Sequence, residues 1–203
     1  LRVFGMPDRS GKSDRLRRVF VVLAKHVLAQ IAFNLICLTP AKAQTPNATL
    51  QETLAAAQAA LAAGDYADAV GHFETIQTTF GREPEVSEPS FQLVVTPLHA
   101  YAALLAGEAQ AAIPLFEDFI RAFPEDRTRL PFVLFNLARA HERIGELDEA
   151  IETYRDFVAL DPDRPEAALA TLAAADLMFE SGRDDEGFET LDALVDRTRP
   201  GVI

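Results

Sequence analysis

Leu134-Phe135-Asn136-Leu137-Ala138-Arg139-Ala140-His141-Glu142-Arg143-Ile144-Gly145-Glu146-Leu147-Asp148-Glu149-Ala150-Ile151-Glu152-Thr153-Tyr154 is the stretch that decides the fold. Beyond Gly145, the residues Leu147, Ala150, Ile151, Tyr154, Phe157 and Val158 recur at three- and four-residue intervals, which places them on one face of an α-helix. Asp148, Glu149, Glu152, Arg155 and Asp156 take the opposite side. Glycine tolerates the left-handed conformation that stops a helix, so Gly145 is expected at the bend of an antiparallel hairpin.

The same pattern recurs on either side. Upstream stand Ala63-Gly64-Asp65-Tyr66-Ala67-Asp68-Ala69-Val70 with Phe73 and Ile76, and Ala106-Gly107-Glu108-Ala109-Gln110-Ala111-Ala112-Ile113 with Phe116, Phe119 and Pro124. Downstream a weaker copy reads Ser181-Gly182-Arg183-Asp184-Asp185-Glu186-Gly187-Phe188, then Leu191 and Leu194. Ala69, Ala112 and Ala150 share one register, where a methyl group lets two helices approach closely; a bulkier residue there overpacks the contact by about 1–3 kcal/mol. In the fourth copy Gly187 takes that place, at a helix-propensity cost of about 1 kcal/mol.

These residues resemble the tetratricopeptide repeat family, the third copy most closely, through Leu134, Asn136, Leu137, Ala138, Gly145, Ala150, Ile151, Tyr154 and Pro162. The turn glycines at 64, 107, 145 and 182 step by 43, 38 and 37 residues, against about 34 for the family unit. The expected fold is all-α: an α–α superhelix of about four helical hairpins over residues 48–199, with units near 48–80, 93–124, 128–161 and 163–197. Residues 81–90, acidic and bearing Pro84 and Pro89, are expected as a surface loop. Pro97 predicts that the first helix of the second unit begins near Thr96 or kinks there. Asp163, with Pro165 and Glu166 behind it, predicts the cap of the fourth unit's first helix.

The first 43 residues are of another kind. Arg15, Arg17, Arg18 and Lys25 precede an apolar run from Val27 to Leu38, followed by Thr39-Pro40 and Ala41-Lys42-Ala43. A basic start, an apolar middle and a small-x-small ending form the pattern of a secretory signal peptide, with cleavage expected after Ala43 and residues 44–47 left as a short linker. Periplasmic or secreted location follows; anchoring in the inner membrane by an uncleaved segment is the alternative. Cys37 follows Ile36 rather than a small residue, which argues against a lipoprotein signal.

From Gln44 onward the chain keeps 11 basic residues, all arginine, against 29 acids, a formal charge of −18. Such a surface repels phosphate backbones and anionic headgroups, so neither nucleic acid nor, after signal cleavage, a membrane is an expected partner, and a basic protein or peptide is. The same stretch has no cysteine for a nucleophile, disulfide or zinc site. His99 and His141 fall at core-facing positions, and His72 is expected to be exposed. Asp161-Pro162-Asp163 fails as a calcium loop, which needs glycine at its sixth position and glutamate at its twelfth; Glu166 and Leu172 stand there. Glu117-Asp118, Glu125-Asp126 and Asp184-Asp185-Glu186 are expected as helix-terminal and solvent-face charges. No phosphate loop or dinucleotide fingerprint occurs. No enzyme activity, cofactor or metal is expected.

What the resemblance implies is a binding surface. In the family, the first helix of each unit lines an inner groove that grips an extended or helical peptide. By register, Tyr101 in the second unit and Phe135, Arg139, Glu142 and Arg143 in the third are the candidate groove residues, an aromatic and arginine set of the type that anchors binding. Asn136 is expected to be structural. A repeat array needs a polar cap over its last apolar face, yet Leu191, Leu194 and Val195 are soon followed by Arg199-Pro200-Gly201. Two functions are consistent with this: an extracytoplasmic interaction adaptor or scaffold, with cell-envelope assembly as its setting, or the N-terminal repeat segment of a larger outer-membrane or secretion component.

Overall fold

In a computed structural model, residues 48–198 are described; the signal-like segment 1–43 and the linker 44–47 lie outside them. The described residues form eight α-helices and no strand. They pair as α1 (Ala48–Ala63) with α2 (Tyr66–Phe80), α3 (Pro89–Ala106) with α4 (Ala109–Ala122), α5 (Leu130–Ile144) with α6 (Leu147–Leu160), and α7 (Pro165–Glu180) with α8 (Asp184–Thr198). Each second helix also packs on the first helix of the next pair, and α3 touches α5 directly. That is the stacking of a superhelix, in which each hairpin buries its apolar side against its neighbours.

All four hairpins bend in the same way. Gly64, Gly107, Gly145 and Gly182 have φ of 87, 95, 82 and 76°, the left-handed region glycine enters without penalty. At each bend the glycine amide donates to the carbonyl three residues back, at 3.2–3.3 Å. The following amide donates to the carbonyl five back, from Asp65 to Ala60, Glu108 to Ala103, Glu146 to His141 and Arg183 to Met178, at 2.8–3.0 Å. These paired bonds satisfy carbonyls that the helix end would otherwise leave open. No side-chain cap bond is made at Asp65, Glu108 or Glu146, so the backbone bonds carry the capping at these turns.

Tight packing follows from the small residues. Ala69, Ala112 and Ala150 are fully buried where the helices of a hairpin meet. Phe73, Phe116 and Tyr154, each nine residues past its turn glycine, are also buried. One cluster shows how units share a core: Ala138 of α5, Ile151, Tyr154 and Phe157 of α6, and Ala170, Ala174, Leu177 and Met178 of α7 bury one another. Asn136 is wholly buried, and its side-chain amide donates to the Phe132 carbonyl at 2.8 Å, so it is a satisfied structural polar group.

Three expectations are corrected. First, α3 starts at Pro89 and runs through Pro97. Glu88 is extended and Pro89 supplies the preset φ of a first helical residue. An interior proline costs about 3 kcal/mol, but α2, α4 and α5 surround this helix and bury nine of its residues, Pro97 among them. The loop is therefore 81–88, and Val86, only 5 % exposed, anchors it. Second, the residue before α7 is Arg164, in extended conformation, not Asp163, because Pro165 takes the first helical position. Third, His72 is half-buried. The glycine at 187 also has a packing reason: a Cβ there would lie 2.6 Å from the ring of Phe179, which instead meets Phe188 edge-on at 5.1 Å.

Candidate functional site

The candidate groove residues separate into three depths. Tyr101 is buried in the core, only 7 % exposed, and its ring meets Phe132 of α5 edge-on at 5.1 Å. Burial raises its hydroxyl pKa, partly offset by the positive charge of Arg139. Phe135 is half-buried and packs edge-on against Tyr154 at 5.6 Å and Phe157 at 5.4 Å, so it serves mainly to join α5 to α6. Sequence register puts both rings on the groove wall; in the structure Tyr101 is buried against Phe132 and Phe135 is half-buried against α6.

Arg139, Glu142 and Arg143 make up the open part. They follow one another within two turns of α5, Arg139 half-buried and the other two exposed. The Arg139 guanidinium donates to the Asn136 side-chain oxygen at 3.2 Å, which uses one of its donors and orients the rest. Glu142 accepts a hydrogen bond from the Tyr154 hydroxyl at 3.1 Å. That phenol is held well above its usual pKa, first by burial and then by the Glu142 charge. Arg143 donates to the Leu104 carbonyl, in the last turn of α3. Burial and the neighbouring Arg139 lower its pKa, while Glu142 raises it. Arg143 is thus a strut between two units, a role that register alone does not reveal because its acceptor is 39 residues away.

The two buried histidines are structural. Gln77 donates to His99 Nδ1 at 3.3 Å, and Phe73 stacks on the ring at 5.5 Å. Burial lowers the His99 pKa, against a smaller opposing pull from Glu74. His141 Nδ1 lies 2.7 Å from Glu146 Oε2, which ties the end of α5 to the turn after it.

On the opposite side, charges join α6 to α8. Arg183 donates to both carboxylate oxygens of Glu186, at 2.9 and 2.7 Å, and to Asp148 at 2.8 Å; Arg155 reaches Glu186 at 3.4 Å. Hydrogen bonding to Arg183 holds the Glu186 carboxyl at about 2. These groups are well exposed, so the network is worth little stability. Nearby, α6, α7 and α8 enclose an open cleft of about 340 Å³ with largely aliphatic walls, including Val158, Ala174 and Leu194. Its hydroxyls are already engaged, Thr171 with the Ala167 carbonyl and Thr190 with the Met178 sulfur. Among the described residues, no three His, Cys, Asp or Glu side chains are placed to hold a metal ion. No described helix is long and apolar enough to cross a membrane.

The arrangement offers a graded surface: packed aromatic rings, a guanidinium held by Asn136, and an exposed carboxylate on the same helix. The sequence matches the tetratricopeptide repeat family over residues 98–165 and 135–202, which together cover more than half of the chain. The chain belongs to the tetratricopeptide repeat family. Among solved structures, it is similar to the residue 41-to-end portion of MamA from Desulfovibrio magneticus RS-1, at 16 % identity over 75 % of this chain and 78 % of that one, with a TM-score of 0.59. It is similar to MamA AMB-1, at 18 % identity over 94 % and 95 % with a TM-score of 0.58. The tetratricopeptide-like repeats of a putative kinesin light chain from Podosopora anserina match at 22 % identity, over 98 % and 100 %, with a TM-score of 0.59. At these identities the likeness is one of fold. No curated protein sequence matches. Tetratricopeptide repeats generally serve as scaffolds that bind protein partners, and the fold here is such a scaffold.

Proposed function

We propose that this chain is an extracytoplasmic adaptor that holds a protein or peptide partner against the first-helix side of its repeats, within cell-envelope assembly. The observation that carries the binding part is the placement of Arg139: its guanidinium donates to the Asn136 side-chain oxygen, with the exposed Glu142 and Arg143 on the same helix. A fixed fork of this kind loses little freedom when it captures a carboxylate or a peptide carbonyl. The formal charge of −18 from Gln44 onward favours a partner whose remaining surface is basic. Location rests on the signal-like pattern ending at Ala43.

Crosslinking and pull-down from envelope extracts tests this reading. Arg139→Glu is expected to reduce partner recovery at least tenfold, while Glu152→Lys, on the exposed side of α6, leaves it unchanged; both variants keep the wild-type melting temperature. Retention with Arg139→Glu and loss with Glu152→Lys would refute the inner-side placement. Sequencing the mature protein addresses location: an amino terminus at Gln44 is expected, and an uncleaved chain recovered from the cytoplasm would contradict it.

A further inference from the structure

The four second helices are equivalent in register, yet one of them differs in what covers it. Six residues past each turn glycine stand Val70, Ile113, Ile151 and Phe188. Ile151 is fully buried in the cluster it shares with Ala170, Ala174, Leu177 and Met178 of α7, and Val70 is 6 % exposed. Phe188 is 61 % exposed, although Phe179 and the gap left by Gly187 hold its ring in a defined edge-on contact. One turn on, Leu191 is half-buried where its equivalents Phe73, Phe116 and Tyr154 are buried. The outer side of α8 is thus the half-interface that α6 presents to α7, displayed to solvent. By helical spacing the exposed residues that flank Phe188 and Leu191 are Asp184, Asp185 and Asp192, and Val195, 47 % exposed, continues the apolar face.

We infer that this side of α8 is a docking surface for a basic amphipathic helix of a partner protein, laid on α8 as α7 is laid on α6. The shape is supplied by the repeat: α7 meets α6 through Ala170 and Ala174 followed by Leu177 and Met178, so a helix with that small-then-aliphatic stripe fits the Phe188 face. The charge is supplied by the rim, where the carboxylates of Asp184, Asp185 and Asp192 select Lys and Arg on the flanks of the incoming helix. Charge also decides against a second copy of this chain. Its first-helix side at α1 carries Gln51, Glu52, Ala55 and Ala59 as exposed residues, which would add a further acid to the rim and bring together two chains that are each strongly negative. This surface lies on a second helix, apart from Arg139, and its fate is independent of the groove.

The probe is a helix-stabilised synthetic peptide with the α7 sequence, residues 165–180, carrying Glu166→Lys, Asp176→Lys and Glu180→Lys. Titrated against the full chain by fluorescence anisotropy, it is expected to bind saturably and to weaken when salt is raised from 50 to 500 mM, an ionic-strength range over which rim charges are increasingly screened, with a Debye length of about 10 Å at 0.1 M. Phe188→Asp is expected to weaken binding at least tenfold with unchanged melting temperature, Phe188→Leu to restore most of it, and the unsubstituted α7 peptide to bind at least tenfold more weakly. Absence of binding, or binding indifferent to Phe188→Asp, overturns the inference. So does a dimer in sedimentation that Phe188→Asp dissolves, since a second copy then occupies the face. Slow thiol labelling of Phe188→Cys in a monomeric Cys37→Ser background overturns it as well, because the chain's own residues then cover the site.

Discussion

Gln77 donates to an unprotonated His99 nitrogen, and a Phe73 ring covers the imidazole, so the folded state favours the neutral form. A base whose folded pKa is depressed below its unfolded value of 6.5 contributes fully above pH 6.5 and progressively loses that contribution as pH falls through it, because only the unfolded chain readily takes the proton. Thermal melts between pH 7.5 and 5.5 should therefore show a falling melting temperature, and His99→Gln should flatten that part of the profile. An equal slope in both proteins would mean that carboxylates alone set it. Glycines separate by mechanism at this scale too. Gly145 has φ of 82°, and a methyl group added there would meet nothing within 4 Å, so Gly145→Ala should cost only the left-handed strain, about 1–2 kcal/mol by urea unfolding. Gly187 has ordinary helical geometry but a crowded Cβ position. Gly187→Ala should stabilise by less than the propensity gain of about 1 kcal/mol, and by nearly all of it in a Phe179→Ala background.

At the scale of the element, the alanine register carries the tightest constraint. Ala150 is fully buried between α5 and α7, and Ala150→Leu should destabilise by about 1–3 kcal/mol through overpacking, measured by chemical unfolding. Unchanged stability would mean the helix faces are assigned wrongly. Helix α6 was legible in the sequence because its apolar residues keep helical spacing on a polar background. Helix α3 was not: Pro97 reads locally as a boundary, whereas the burial that outweighs it comes from packing against three other helices, α2, α4 and α5. The start of α7 failed for a related reason. Asp163 has the chemistry of a cap, but Pro165 fixes the first helical residue, and the cap position falls to Arg164, whose side chain makes no cap bond. Turn glycines were fully legible, since left-handed backbone leaves few other residues to choose from.

For the whole molecule, register assigns these residues to their helices but not the depth of their side chains. Arg139 is half-buried, while Tyr101 is buried against Phe132 and Arg143 reaches across to Leu104. Those outcomes depend on how far successive hairpins rotate on one another, which a one-dimensional pattern does not encode. The stack itself makes a stronger statement: stability is local, and each helix is as secure as the neighbours that cover it. Hydrogen exchange along the full chain measures this directly. The amides of α3 to α6, covered on both sides, should exchange slowest, those of α8 fastest among the helices, and those of loop 81–88 almost at once. Protection in α8 equal to that in α6, or an unprotected α5–α6 hairpin, would contradict a fold held together by stacked pairs of helices.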